Sequence, residues 1–284
     1  MAAICPSVAL RLLKGPPIVL SRIPVSGIAA AAMLLLAATP AAAIGDGARA
    51  YQLVPAGSNI LSAYGIFLDG NSSLDPSTAT SKADISIDVA ALQFTHQISV
   101  GGNASGLFAI LPVGQVEGRA TIDRPLLPPL DLKGDSSGIG DIQLGAVIGL
   151  VGSPSLAIPQ YVAFKPGFAL GALGKVTIPT GAYSGDKAIN LGANRWAVQI
   201  GAPLGYYVGT SMLDPALMTF ELLPSVTFFG ANTDPFRADR QTQAPMFRLE
   251  AHATRNINRA LWVSLDALAS AGGRTTTDGS SDDN

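Results

Sequence analysis

The sequence predicts an antiparallel transmembrane β-barrel, an all-β fold, and three observations carry this prediction. Nine short segments alternate apolar and polar residues with a period of two, the pattern of strands whose two faces lie in different environments. The connections between these segments alternate long and short along the chain, as extracellular loops and periplasmic turns do in outer-membrane barrels. Two aromatic residues, Trp196 and Tyr206, lie ten positions apart on the apolar face of one segment.

The composition excludes several other classes of protein. Hydrophobic residues make up 48% of the 284 residues and charged residues 13%. Beyond the N-terminal region no apolar run reaches the ~20 residues that a spanning helix needs, which excludes a helical multispan protein. A secreted β-sandwich has no reason to alternate long and short connections. The net charge of -2 provides no basic surface for nucleic acid, so we expect no nucleic-acid partner.

The N-terminal residues have the features of a secretory signal peptide. Basic residues precede an apolar core at 27–38, and three consecutive alanines then offer a cleavage site. We therefore predict a signal peptide over residues 1–43 and a barrel domain over residues 44–284, with an uncleaved anchor as the alternative. Cleavage would remove Cys5, the single cysteine, and leave no disulfide or cysteine-based metal site.

The predicted strands follow this region and differ in how clearly their faces are marked. The parity of the alternation changes within the second strand near residues 90–92, which predicts a β-bulge. The third strand is apolar on both faces, which predicts that part of the lumen is apolar. The nine strands occupy residues 58–68, 84–98, 104–116, 139–150, 160–178, 196–208, 217–229, 245–256 and 260–271.

Trp196 and Tyr206 predict where the membrane boundaries lie. At ~3.3 Å per residue and a tilt of ~40°, ten residues cover roughly 25 Å of depth, the height of the apolar band on an outer-membrane barrel. Amphipathic rings favour the lipid–water interfaces. We therefore predict that both residues belong to the membrane girdle.

Every charge within the later strands falls on the same face as the polar residues of its strand, and we assign this face to the lumen. A basic residue on the lipid face would cost ~2–4 kcal/mol near the membrane midplane. The third strand, which is apolar on both faces, is predicted to contribute an apolar wall to this lumen through Leu107 and Leu111. The predicted pore-lining residues are Leu107, Leu111, Lys175, Gln199, Glu221, Arg248, Glu250, His252 and Asp266.

The two histidines are candidates for metal ligands and for catalytic groups. His96 and His252 belong to no motif with ligand spacing, so we predict polar luminal roles for both, and neither a metal site nor a cofactor. Simple pairing around a turn at 257–259 places His252 opposite Ser264, with Asp266 diagonal, which are the residue types of a catalytic triad. Because no nucleophile turn or oxyanion donor accompanies them, we predict luminal hydrogen bonds and no enzymatic activity.

Three short motifs give the sequence a resemblance to a known family. They are Gly-Ile-Gly-Asp at 138–141, Lys-Val-Thr-Ile-Pro-Thr-Gly at 175–181 and Asn-Leu-Gly-Ala-Asn-Arg-Trp at 190–196. From about residue 50 onwards the chain resembles the outer-membrane transporters named for the MetA pathway of phenol degradation. The resemblance implies a barrel in the bacterial outer membrane and passage of hydrophobic aromatic compounds, and the predicted signal peptide provides for its export through the inner membrane. It also implies about 12 strands when complete, so with about nine present we expect a C-terminally incomplete barrel.

The leading functional interpretation is therefore a passive outer-membrane channel for small hydrophobic or aromatic molecules. One alternative is a structural or surface-interaction barrel without transport, and another is a membrane-embedded hydrolase. The expected partners are the lipid bilayer with its lipopolysaccharide, the barrel-assembly machinery and small hydrophobic solutes.

Overall fold

The computed structural model describes residues 3–5, 45–70, 83–122 and 130–281. Of the predicted signal peptide only Ala3–Cys5 falls within these residues, so the signal peptide stays a prediction. The elements in chain order are β1 (Ala3–Cys5), β2 (Asn59–Gly70), β3 (Ala83–Val100), β4 (Asn103–Ile122), β5 (Leu130–Ile139), β6 (Ile142–Val151), α1 (Ile158–Ala163), β7 (Phe168–Ile178), β8 (Ala197–Gly201), β9 (Leu204–Val208), β10 (Met218–Phe229), β11 (Gln241–Gln243), β12 (Met246–Asn256), β13 (Trp262–Gly272), β14 (Thr275–Thr277) and β15 (Ser280–Ser281).

Twelve of the strands form one antiparallel sheet that makes the barrel wall. Its order is β1-β13-β12-β10-β8-β7-β6-β4-β3-β2, with β5 beside β4 and β9 between β10 and β7. The short strands β11, β14 and β15 form a separate sheet. Each of the nine predicted strands corresponds to one position in the wall from β2 to β13, which confirms the all-β barrel. Within the described residues, no helix has the length and apolarity needed to cross a membrane.

Three predicted segments differ in extent from the observed ones. Residues 130–138 were expected to lie in a loop but belong to β5, which pairs with residues 113–122 of β4 and is joined to β6 through residues 140–141. The predicted strand at 160–178 begins as α1, where the Gln160 side chain accepts a hydrogen bond from the Ala157 N–H. The strand at 196–208 is divided into β8 and β9, because Pro203 cannot donate to the ladder.

The connections follow the predicted alternation with two exceptions, one of which is the long connection expected before β6, where β4 extends and β5 forms. A two-residue turn, Gly101 and Gly102, joins β3 to β4, and both glycines adopt the positive φ that such hairpin turns require. The connection from β6 to β7, expected to be short, spans residues 152–167 and contains α1. We call the end of the barrel that carries Gly101 and Gly102 the short-turn end and the opposite end the long-loop end.

The parity change in β3 marks the edge of the membrane and is not a bulge. The pairing of β3 with β4 runs without a register shift along the whole length of β3. Toward the long-loop end Ile87 is buried on the inward face and Asp88 is exposed on the outward face. Nearer the short-turn end the outward face carries Leu92 and Phe94, each 48% exposed, while Gln97 is buried on the inward face. The sheet therefore projects beyond the apolar band, where its polar face turns outward to water.

Three buried apolar clusters fill the interior along the barrel axis. The upper cluster lies near the long-loop end, the middle cluster lies halfway, and the lower cluster lies near the short-turn end. The upper cluster contains Ile87, Val89 and Val116, with Ile66, Ile189 and Leu191 packed against it. The middle cluster contains Phe108, Leu173 and Leu223, with Tyr51 and Ile110. The lower cluster contains Leu53, Ala104, Tyr161, Tyr207, Met212 and Leu217.

Candidate functional site

The outward surface of the barrel is an apolar band with aromatic residues at two levels. Trp196, just before β8, is 54% exposed, and Tyr206 on β9 is 55% exposed. Between them Val198 and Ile200 share the outward face and are also exposed. This arrangement is that of a lipid-facing wall bracketed by interfacial aromatic rings.

The structure places the predicted charged and polar pore-lining residues on the inward face. Lys175, Gln199 and Glu250 are buried there. The Gln199 side-chain amide donates a hydrogen bond to the Ser225 hydroxyl of the neighbouring strand. The remaining members of this group are Glu221, Arg248, His252 and Asp266, which contact other inward-facing groups.

The apolar pore-lining residues predicted on β4 face the other way. Leu107 is 47% exposed, and Leu111 lies opposite Leu92 on the outward face. Their assignment to the lumen is wrong, because both faces of β4 are apolar and the alternation could not select one. The apolar wall exists, but Phe108 and Ile110 form it.

The two histidines also occupy opposite faces. His96 is on the outward face of β3, where its ring lies 2.8 Å from the Asn59 side-chain oxygen, so its predicted luminal role is wrong. His252 lies on the inward face of β12, with its Nδ1 2.7 Å from Asp266 Oδ1. Among the described residues, no three acidic, histidine or cysteine side chains form a metal-ligating group.

Residues 45–53, which we call the luminal segment, lie inside the barrel, and no sequence pattern predicted this. The Asp46 N–H donates to Glu250 Oε2 over 2.8 Å, and the Arg49 N–H donates to Glu221 Oε2 over 2.7 Å. The Asp46 carboxylate forms an ion pair with Lys175, with Nζ and Oδ1 2.5 Å apart. Charged groups of β7, β10 and β12 therefore bind one short segment, which occupies the space of a pore.

The side chains of Arg49 and Tyr51 add further contacts between the luminal segment and its surroundings. The Arg49 guanidinium donates to the Thr254 hydroxyl and to the Asn256 side-chain oxygen, and it lies 4.8 Å from the ring centre of Trp262. The Tyr51 hydroxyl donates to Asp46 Oδ2 over 2.6 Å, and the Tyr51 ring packs against the middle cluster. The segment is thus anchored by an ion pair, hydrogen bonds, a cation–π contact and apolar packing.

Inward-facing residues of β12 and β13 form a connected polar group. The observed register pairs His252 with Asp266 and Thr254 with Ser264, because the turn spans residues 257–261 and is longer than expected. The predicted pairing of His252 with Ser264 is therefore wrong. Asp266 accepts a hydrogen bond from Ser264 through Oδ2 and contacts His252 through Oδ1. The carboxylate therefore lies between the serine hydroxyl and the imidazole. A catalytic triad needs the histidine in the middle, between the hydroxyl and the carboxylate.

Helix α1 closes the short-turn end of the lumen. Tyr161 projects from α1 into the lower cluster, and its hydroxyl donates a 3.1 Å hydrogen bond to the carbonyl oxygen of Leu53. Burial raises the pKa of Tyr161, so the hydroxyl stays a neutral donor. The helix is therefore attached directly to the end of the luminal segment.

The three sequence motifs meet at the long-loop end, where they hold the β7–β8 loop in place. Asp141 Oδ1 accepts from the Gly181 N–H and Oδ2 from the Ala193 N–H, each over 2.8 Å. Gly181 and Gly192 are in backbone contact, and a Cβ on Gly181 would lie 2.7 Å from Gly192 Cα. This arrangement directs Ile189 and Leu191 into the upper cluster. The motifs thus determine how the loop folds inward and closes this end of the lumen.

These features define an all-β transmembrane barrel whose lumen is filled by its own chain at three levels. The family model described as "Putative MetA-pathway of phenol degradation" matches residues 69–283, and the chain belongs to this family. Among solved structures it is similar to the COG4313 outer membrane channel from Pseudomonas putida F1, with a TM-score of 0.61 and 22% identity. The match covers 84% of this chain and 80% of the other, and at this identity it shows the fold. No curated protein matches the chain.

Proposed function

We propose that the protein is an outer-membrane channel through which small hydrophobic or aromatic molecules diffuse passively, and that the luminal segment holds the channel closed. The observation that carries the proposal is a lumen whose apolar wall lies directly beside charged groups. Phe108, Leu173 and Leu223 form the apolar wall. Glu250 lies opposite Leu223 on the adjacent strand β12, and Lys175 is two residues beyond Leu173 on β7. The family's name and the similarity to a solved outer-membrane channel support this proposal.

The paired walls suit amphipathic solutes. A phenol has an apolar ring and a hydroxyl that both donates and accepts hydrogen bonds, so its two parts need different partners. A lumen lined only by charged groups would leave the ring without apolar contacts. A lumen lined only by aliphatic groups would leave the hydroxyl unpaired, which costs ~1–3 kcal/mol.

The luminal segment can leave without disrupting the barrel. It takes no part in the β-ladders of the wall, whose strands from β2 to β13 pair with each other. Its main polar contacts are to the charged groups of Lys175, Glu221 and Glu250, and each such hydrogen bond contributes ~1.5–3 kcal/mol net. Withdrawal of the segment exposes these groups to water in the vacated lumen, which offsets part of this loss. We therefore assign the open channel to a state in which residues 45–53 have withdrawn from the lumen.

The test is solute uptake into liposomes that contain the full-length protein. We expect labelled phenol to enter faster than a monosaccharide, and a variant lacking residues 45–53 to raise the rate further. A Leu107→Ala variant, altered on the outward face, is the matched control and should behave as the unaltered protein. Equal phenol entry with and without the protein, for both the unaltered chain and the deletion variant, would leave the structural barrel as the better interpretation.

A hydrolase has less support than either a channel or a structural barrel. The polar group on β12 and β13 has the Asp266 carboxylate between Ser264 and His252, so the serine does not contact the histidine base that a catalytic triad requires.

A further inference from the structure

We propose that the space occupied by the Tyr51 side chain is a binding site for the permeating phenol, and that Tyr51 is an internal substitute for this solute in the closed channel. The inference deepens the proposed function, on which it rests, because it names where the aromatic solute binds. Tyrosine carries a phenol as its side chain, so the contacts that the barrel makes to Tyr51 are contacts that a free phenol could make.

The ring of Tyr51 lies in an apolar pocket formed by three separate strands. It packs against the middle cluster, whose buried members are Phe108 of β4, Leu173 of β7 and Leu223 of β10, and the partly buried Ile110 packs against the same cluster. The three buried side chains are almost completely removed from solvent, and Leu173 is only 2% exposed. The three strands alternate with β8 and β6 in the sheet, so the pocket lies along one stretch of five consecutive wall strands. The Tyr51 ring therefore occupies the space in front of this apolar part of the wall.

The hydroxyl of Tyr51 lies at a charged end of the pocket. It donates to Asp46, and Asp46 in turn contacts both Lys175 and Glu250. Glu250 is fully buried, and its Oε1 accepts no hydrogen bond from the described residues. When the luminal segment withdraws, Tyr51 and Asp46 leave together, whereas Lys175 and Glu250 remain in the wall. The vacated pocket then offers an ammonium donor and a carboxylate acceptor to one hydroxyl.

The order of residues along β7 places an ammonium group beside the apolar pocket. Leu173 and Lys175 are two residues apart on the same inward face, which corresponds to ~7 Å along a strand. A phenol is shorter than this spacing, and the flexible four-carbon stem of Lys175 can cover the difference. A phenol whose ring lies on Leu173 therefore brings its oxygen within reach of Lys175.

Competition between Tyr51 and the solute couples binding to opening. A tethered side chain competes at an effective concentration on the order of millimolar, so free phenol displaces it only at comparable concentrations. Because phenol binds only the state from which Tyr51 has withdrawn, it shifts the population toward that state. The solute thereby promotes the opening of its own path.

The first test measures phenol binding to the purified full-length protein in detergent by calorimetry. Tyr51→Ala should bind phenol at least about tenfold more tightly than the unaltered protein, because its internal competitor is gone. In the Tyr51→Ala background, Lys175→Met should weaken phenol binding and leave toluene binding unchanged, because toluene has no hydroxyl. The control is Phe220→Ala on the outward face of β10, which should match the unaltered protein. If Tyr51→Ala binds phenol no better than Phe220→Ala, the inference is wrong.

A second measurement keeps Tyr51 in place. The chain has two tryptophans, so Trp196→Phe leaves Trp262 as the only one, in contact with Arg49 of the luminal segment. Millimolar phenol should change Trp262 emission as the segment withdraws, and cyclohexane-saturated buffer should not. Emission that phenol leaves unchanged contradicts the competition with Tyr51.

Binding and transport can fail separately. Tight phenol binding to Tyr51→Ala without faster uptake into liposomes would support the site and overturn the channel. Faster uptake without saturable binding would support the channel and overturn the site.

Discussion

Asp46 of the luminal segment and Lys175 of β7 form an ion pair across 129 residues of sequence, with Nζ and Oδ1 2.5 Å apart. Both side chains are nearly buried, with exposed fractions of 13% for Asp46 and 10% for Lys175. Removal of one partner from such a pair leaves an uncompensated charge in a poorly solvated place. The pair therefore links occupancy of the lumen to one residue of the barrel wall.

The first prediction concerns this ion pair. Lys175→Met should destabilise the bound luminal segment by roughly 3 kcal/mol, because Asp46 keeps its charge and loses its cation. The N-terminal segment should then become sensitive to protease, and conductance in planar bilayers should rise. The double variant Asp46→Asn/Lys175→Met, which removes both charges, should recover most of the protection. A single variant as well protected as the unaltered protein would show that the pair does not hold the segment.

The second prediction concerns the closure at the long-loop end. Asp141→Ala removes two hydrogen bonds to a charged acceptor and should cost about 2–3 kcal/mol in the stability of the β7–β8 loop. Limited proteolysis should then cut within residues 179–196. Asp186→Ala in the same loop is the control, because Asp186 is exposed. Equal cleavage of both variants would contradict the role assigned to Asp141.

The third prediction tests the facing of β8. Ile200→Glu should impair assembly by about 1–2 kcal/mol, since it places a carboxylate on the lipid-facing surface. Gln199→Glu, one residue earlier, places the same group in the lumen opposite Lys175 and should assemble normally. Heat-modifiable mobility on gels reports the folded fraction of each. Similar folded fractions for the two variants would refute the assignment of the faces.

The fourth prediction concerns the link between α1 and the luminal segment. Tyr161→Phe leaves the buried Leu53 carbonyl without its donor and should cost about 1 kcal/mol, with more frequent channel opening in single-channel recordings. Tyr183→Phe removes the hydrogen bond to the Asp234 carbonyl and the one that the Tyr183 hydroxyl accepts from the Asn232 side chain, both at the long-loop end, and it should not alter opening. Opening frequencies that rise equally in both variants would mean that α1 does not restrain the segment.

The sequence alone determined nine positions of the barrel wall, although it missed β5 and extended one strand into α1. Where one face of a strand is polar, it also determined which face meets lipid. On β7 and β8 apolar residues alternate with Lys175 and Gln199. The face that carries these two polar side chains must be the luminal face, because a charge facing lipid is costly. The three motifs also identified the family correctly, although their role in closing the β7–β8 loop was visible only once Asp141, Gly181 and Ala193 were seen together.

Only the tertiary structure decided the facing of β4, the register of β12 with β13 and the contents of the lumen. The facing of β4 was undetermined because Leu107 and Phe108 are equally apolar, and it depends on which neighbours surround each face. The register follows from the length of the turn before Trp262. The luminal segment is held by contacts to Lys175, Glu221 and Glu250 that span 129 to 204 residues of sequence. Periodicity reports the environment of a strand's own faces, and it carries no information about a distant segment that enters the space those faces enclose.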